Sequence, residues 1–465
     1  MNVKAFVIRY SFTWNDFCNY RHHMIRSKTF VRLTLALTGI LLLQACGIFR
    51  PAPAKTDGPP PELSKPKPEE KKPEEPKKPE AKVPFNVPAF AKEVKRSTYN
   101  VAVFAPLYLD SVFATSLDIP GRTMPRYVLP GLEFYEGVQL ALDSLEKQGV
   151  QLNVQVFDNK ARGNDVPTVI RNRQLDATDL IIGAVSTPEL KPLSDFAREK
   201  QINLVSATFP NDGGISENPF LLISNSTLRS HVEAIQDYVQ KGFANKNILV
   251  IRRGSSFEAS IAGNIKAAYE RMQYDKKSRI REVVWSDATT DAQLTQYLLA
   301  DRPNICIITA LDEAGAKSIL RKLAMHKTTY PLHVFGMPTW DVMKFKEPEF
   351  EGLTLYYSSP YYNDKTDVFS RYISEYFKRV YKSRPSDMAF KGFEQTWYFI
   401  KLLTQDGVYF NKDLNKPGNR VYTSFNFQPV YLDEEKDEVP AYFENKNIYI
   451  IQKGDSADYR MNTNL

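Results

Sequence analysis

Short runs of apolar residues recur along the chain from Tyr99 onward, at Val101–Ala105, Leu152–Phe157, Leu180–Ile182, Leu204–Ser206, Ile248–Ile251, Ile305–Ile308, Leu332–Phe335 and Leu353–Tyr357. Several are β-rich and continuous rather than alternating, the pattern of strands covered on both faces. Between them apolar residues fall at helical spacing. The first such stretch puts Leu132, Tyr135, Val138, Leu142 and Leu145 on one face. Pro130-Gly131 stands ahead of it, Glu133 and Glu136 lie in its early turns, and Lys147 and Gly149 close it. These are the start and stop signals of a helix. Strand, helix and strand in repetition predict an α/β architecture of parallel sheets with helices on both faces. The stretch from Tyr99 to Leu465 is too long for one ordinary core and long enough for two lobes.

The N-terminal pattern is different. An apolar run from Leu33 to Leu43 is followed at once by a proline-rich stretch. The run is too short to cross a bilayer as a helix, which takes about 20 apolar residues. Its charged front, apolar middle and small-residue exit predict a secretory signal over residues 1–45. Met24 is the better start, because Arg26, Lys28 and Arg32 then form a compact charged front. The exit, Leu43-Gln44-Ala45-Cys46-Gly47, resembles the lipobox of bacterial lipoproteins. That resemblance implies cleavage before Cys46, a lipid on its thiol, and attachment to a bacterial membrane in the cell envelope, facing the periplasm. From Cys46 to about residue 98 the chain turns to Pro, Lys and Glu, as in Lys65-Pro66-Lys67-Pro68-Glu69-Glu70. Such a segment buries no apolar surface and reads as an extended tether, with a reach on the order of 100 Å at about 3.1 Å per residue.

Composition narrows the function. A net charge of +7 is spread over 465 residues, which is no electrostatic footprint for a phosphate backbone, so no nucleic-acid partner is expected. Acylation of Cys46 would leave Cys306 without a disulfide partner, and its setting in Ile305-Cys306-Ile307-Ile308 marks an inert core thiol. There is no phosphate-cradling loop, nucleophile elbow or metal-ligand spacing. No catalytic residue, metal or cofactor is therefore assigned, and an enzyme is not expected. His231, His326 and His333 are dispersed in sequence and read as helix-face or strand-end residues.

The order of segments carries a family resemblance. Tyr99 to Leu107, the Gly-Val-x-Leu-Ala stretch Gly137 to Ala141, and Val154 to Asn159 with Asp158 follow one another. Asp179 to Thr187, Gln201 to Thr208, Phe350-Glu351-Gly352-Leu353 and Tyr372 to Pro385 complete the series. Together these resemble the type I periplasmic binding proteins, the branched-chain amino acid (leucine-binding protein-like) receptors of ABC transporters. The resemblance implies two doubly wound lobes joined by three crossovers near Asn225, Ser358 and Ser424. One lobe would take about 99–225 and 358–424, and the other about 226–357 and 425–465.

It also implies a ligand site at strand ends between the lobes. Ser186 and Thr187 match a loop that holds a ligand carboxylate, or else form an ordinary helix cap. Ala207 and Thr208 fall where a backbone carbonyl and a hydroxyl meet the ligand. Asn225 stands where an Asp often contacts an ammonium group, and Phe257 at an aromatic position. Asp312 and Glu313 are the acidic residues left near the second lobe's strand ends, because Met337-Pro338 occupy the place of an expected acid. Either could equally cap the helix that follows. Arg122 and Arg126, on a long loop from Asp110 to Leu129, are either solvated or in reach of an anion. The cluster Tyr356-Tyr357-Ser358-Ser359-Pro360-Tyr361-Tyr362 either stacks on a ligand or packs the hinge. Two functions follow: capture of an amino acid-like small polar ligand for an ABC permease, or a non-transport envelope role as a sensor or regulator of a cell-wall synthesis protein. The long tether suits the second, and the resemblance the first.

Overall fold

The computed structural model describes residues 94–113, 124–271, 279–345, 347–433, 437 and 439–453, and the backbone of 459–462. The expected signal, Cys46, the tether up to residue 93 and Arg122 lie outside the described residues.

The first lobe opens with β1 (Tyr99–Ala105), α1 (Leu109–Val112), α2 (Leu129–Lys147), β2 (Leu152–Asp158) and α3 (Val166–Arg171). It continues through β3 (Leu180–Gly183), α4 (Thr187–Lys200), β4 (Asn203–Ser206) and β5 (Leu221–Ile223). The second lobe runs through α5 (Leu228–Gly242), β6 (Asn247–Arg252), α6 (Ser256–Arg271), β7 (Ile280–Val284) and α7 (Asp291–Thr295). Then come β8 (Asn304–Ile308), α8 (Glu313–Ala324), β9 (Leu332–Phe335) and β10 (Thr354–Ser359). The chain returns to the first lobe for α9 (Val368–Val380), α10 (Asp387–Asp406), β11 (Phe427–Val430) and β12 (Tyr442–Asn445). It ends in the second lobe with β13 (Tyr449–Lys453) and β14 (Tyr459–Asn462).

Each lobe is built on a seven-stranded sheet, ordered β11-β12-β5-β4-β3-β1-β2 in one and β14-β13-β10-β9-β8-β6-β7 in the other. The two share one winding, with the second parallel strand outside the first and the next three added on the other side, so both sheets are doubly wound. β11, β13 and β14 pair antiparallel at the far edges. Both faces of each sheet are covered, as the continuous apolar runs require. In the first lobe Val101, Val103 and Ile182 pack with α2, α9 and α10, while Ala102, Phe104 and Ile181 pack with α3 and α4. In the second, Leu249, Cys306 and Val334 pack with α8 on one face, while Ile248, Ile305 and Phe335 pack with α5 and α6 on the other.

The buried face of α2 also takes in Phe134, Gly137, Leu140 and Ala141. Here α2 and α10 meet backbone to backbone. A Cβ on Gly137 would lie 2.0 Å from the Ala389 carbonyl oxygen, and one on Gly392 2.0 Å from that of Phe134. No larger residue fits at either point without separating the helices.

Two expected boundaries are corrected. The third crossing lies not near Ser424 but at residues 446–448, because β12 pairs with β5 and β11 with β12 in the first sheet. Residues 425–445 therefore belong to the first lobe. Ser424 still touches the crossing, since its N–H donates to the Tyr449 hydroxyl at 3.0 Å. At the other end, residues 94–98 are docked on the first lobe rather than part of a solvated tether. Arg96 pairs with Asp179 at 2.9 Å, and the Val94 carbonyl accepts from Val408 N–H at 3.2 Å.

The three crossings are tied by polar side chains. Glu444, fully buried at the end of β12, accepts from the Thr227 N–H at 2.6 Å in the first crossing and from the Lys446 ammonium at 2.6 Å in the third. The Asn445 side chain accepts from Asn426 N–H at 3.0 Å and Asn447 N–H at 3.1 Å. Next to the second crossing, His231 Nδ1 and the Ser358 hydroxyl lie 2.9 Å apart.

Candidate functional site

The ends of β3, β4 and β5 are neighbours in the first sheet, so Ser186, Thr187, Ala207, Thr208 and Asn225 come to one edge. Most of their polar groups are engaged within the protein. The Ser186 N–H and hydroxyl both donate to the Glu189 carboxylate, at 2.7 and 2.6 Å, and Glu189 is held by Lys160 at 2.8 Å. Thr187 is the exposed first residue of α4. The Asn225 amide donates to the Thr208 carbonyl. The Ala207 carbonyl accepts from the Tyr361 hydroxyl at 3.0 Å, and that hydroxyl accepts in turn from the Gln395 amide at 3.1 Å. Tyr361 thus stands on the carbonyl where a ligand donor was expected.

In the second lobe, Asp312 caps α8 by accepting from Gly315 N–H at 2.8 Å and pairs with Arg253. Arg253 also donates to the buried Glu258 at 2.7 Å. The Gly315 N–H, and then Arg253, hold the Asp312 carboxyl below its ordinary range. Phe257, in the first turn of α6, is 59% exposed. Arg126 is exposed on its loop.

An open cavity of ≈ 730 Å³ lies beside the second crossing, and none of the strand-end residues above lines it. The second lobe contributes Asp341, Val342, Tyr357 and Ile451, and the crossing contributes Tyr361 and Tyr362. The first lobe contributes Asp387, Phe390 and Lys391 from the start of α10, and Tyr422 from the loop after it. Asp341 is fixed by its neighbour Trp340, whose buried ring sits over Gly336 and whose indole N–H donates to the Ala310 carbonyl at 3.0 Å. Met337 is buried, and Asp341 places an acid four residues beyond the expected position.

A family model for periplasmic binding proteins matches residues 129–413. The chain belongs to the periplasmic binding protein family. Solved structures share its fold. A candidate branched-chain amino acid ABC transporter from Rhodospirillum rubrum superposes with a TM-score of 0.55 at 13% identity, covering 78% of this chain and 99% of that one. An ABC-type branched-chain amino acid transporter from Rhodopseudomonas palustris gives 0.52 at 13% identity, over 78% and 94%. An ABC transporter substrate-binding protein from Sphaerobacter thermophilus gives 0.51 at 12% identity, over 78% and 96%. A comparison with curated proteins finds no match.

In this periplasmic binding protein the wall of the cavity formed by α10 carries charge on an otherwise apolar helix face. The Lys391 ammonium lies 4.4 Å from the centroid of the Tyr361 ring. Burial lowers its pKa, opposed by the charge of Asp341 across the lobes and by Asp387 and Glu394. One turn on, Glu394 is fully buried and accepts from Thr423 N–H at 2.6 Å and Tyr422 N–H at 3.2 Å. Its second carboxylate oxygen has no partner, and burial pushes its pKa up to about 7. Burial, with the Glu394 charge, also raises the Tyr361 and Tyr422 hydroxyls well above their usual range. Lys391, Glu394 and Asp341 were missed from sequence. The available signal was Lys and Glu one turn apart among Phe390, Phe393, Trp397 and Ile400, where a helix buried on that face would carry only apolar residues. Among the described residues, no group of three or more His, Cys, Asp or Glu side chains is placed to hold a metal ion.

Proposed function

We propose that this protein is a lipid-anchored, extracytoplasmic solute receptor whose two lobes close on a small polar ligand of the amino acid class and present it to an ABC permease. The observation that carries this reading is the cavity of ≈ 730 Å³ walled by both lobes at a crossing of the chain. A site shared between lobes changes shape when they move, so a ligand touching both walls selects the closed arrangement by its differential affinity. The volume lies within the range of small-molecule sites, and aromatic walls with a few charged groups are their usual lining. Cys46 would supply the anchor and the Pro, Lys and Glu segment the reach.

The tether favours a second reading, a regulator that contacts a cell-wall synthesis protein, because delivery to a membrane permease needs no such length. A melting-temperature panel of amino acids, short peptides and cell-wall fragments separates the two. A ligand at a hundred times its Kd should stabilise the protein by about 2.7 kcal/mol. If nothing on the panel shifts the transition while a cell-wall enzyme is retained in a pull-down, the receptor reading fails.

A further inference from the structure

The charged groups around the cavity can be accounted for one at a time. Lys365 pairs with Asp387 at 3.5 Å. Asp364 closes its own turn, accepting from the Thr366 N–H at 2.9 Å and hydroxyl at 2.7 Å. Lys453 is bound to the Trp340 and Met343 carbonyls at 2.8 and 2.7 Å, which also pins the turn carrying Asp341. Two groups remain. Among the described residues the side chains of Lys391 and Asp341 have no hydrogen-bond or ion-pair partner. They carry opposite charge, belong to opposite lobes and line the same cavity. A half-buried ammonium that rests over an aromatic face and hydrogen-bonds to no anion is a costly arrangement unless a ligand anion completes it.

We propose that Lys391 and Asp341 are the two poles of a zwitterion site at the second crossing. The ligand's anionic end binds Lys391, its cationic end binds Asp341, and a flat apolar body lies among Tyr361, Phe390 and Tyr422. This deepens the receptor reading and rests on it. It places recognition away from the strand ends, where Glu189, Tyr361 and Arg253 already occupy the groups that a ligand would need. A ligand joining the two poles ties one lobe to the other, which neither a simple acid nor a simple amine can do.

The test is calorimetric titration of the full-length protein with L-phenylalanine, 3-phenylpropanoate, which lacks the ammonium, and phenethylamine, which lacks the carboxylate. Wild-type protein is expected to bind phenylalanine at least tenfold more tightly than either analogue. Lys391→Met should bring phenylalanine down to the affinity of phenethylamine. Asp341→Asn should bring it down to that of 3-phenylpropanoate. Asp341 is exposed, so its variant keeps the test valid if Lys391→Met fails to fold. A wild-type preference unchanged in either folded variant overturns the two-pole site while leaving a receptor that binds elsewhere. Failure of phenylalanine to bind wild-type protein also overturns it, and the broader ligand panel then decides the receptor reading independently.

Discussion

Glu394 and His231 are buried titratable residues whose effects on stability run in opposite directions with pH. Glu394 keeps its proton in the folded state up to about pH 7, against an ordinary value of 4.5. Between these values the unfolded chain releases a proton that the native protein retains, so stability falls as pH rises through the window and is level above it. Taken at full burial, this shift corresponds to roughly 3 kcal/mol. His231 is the reverse case. Burial lowers it from 6.5 to about 3, so the native state stays neutral while the unfolded chain charges, and stability is lost as pH falls from about 6.5 toward 3. Glu394→Gln keeps an acceptor for the Tyr422 and Thr423 N–H groups. Its stability relative to wild type, measured by urea unfolding, should therefore improve by a few kcal/mol between pH 4 and pH 8. A difference independent of pH would contradict the burial argument. Cys306, fully buried with its thiol pushed up to about 12, should react with iodoacetamide only after unfolding. Labelling of the native protein would show that β8 opens.

At the scale of elements, the contact between α2 and α10 makes glycine identity a packing requirement in one helix and a weakness in another. Gly392→Ala drives a methyl group into the Phe134 carbonyl and should cost about 1–3 kcal/mol as overpacking. Gly263, inside α6, has open space around its Cβ direction. Gly263→Ala should instead stabilise by about 0.5–1 kcal/mol through helix propensity. Equal effects in thermal melts would mean that α2 and α10 do not meet as described. Most central strands were legible because a strand covered on both faces must be continuously apolar, as in Ile305–Ile308. The three-residue β5, and β7 and β11 to β14, were not. Ile-Arg-Glu-Val-Val and Phe-Gln-Pro-Val are edge strands with a polar or proline position, and only pairing across the sheet decides them. The third crossing was misplaced for that reason, since the pairing of β12 with β5 joins residues more than two hundred positions apart.

For the whole molecule, the two-lobed fold followed from the order of segments, whereas the cavity did not. Its walls come from Asp341, Tyr361, Lys391 and Tyr422, which are close only because the chain passes between the lobes three times. Residues chosen by local motif, such as Ser186 and Asp312, have local partners that a cap explains. The envelope assignment has its own check. Mass spectrometry of the mature N-terminus should find a lipid-modified Cys46, and a chain retaining the segment from Met24 would contradict it. The central claim, that the lobes close on a small polar ligand, is tested most directly by small-angle X-ray scattering with and without the ligand that most raises the melting temperature. Closure should give a smaller radius of gyration in the bound state, saturating at the same ligand concentration as the thermal shift. An unchanged scattering profile at a saturating concentration would contradict it.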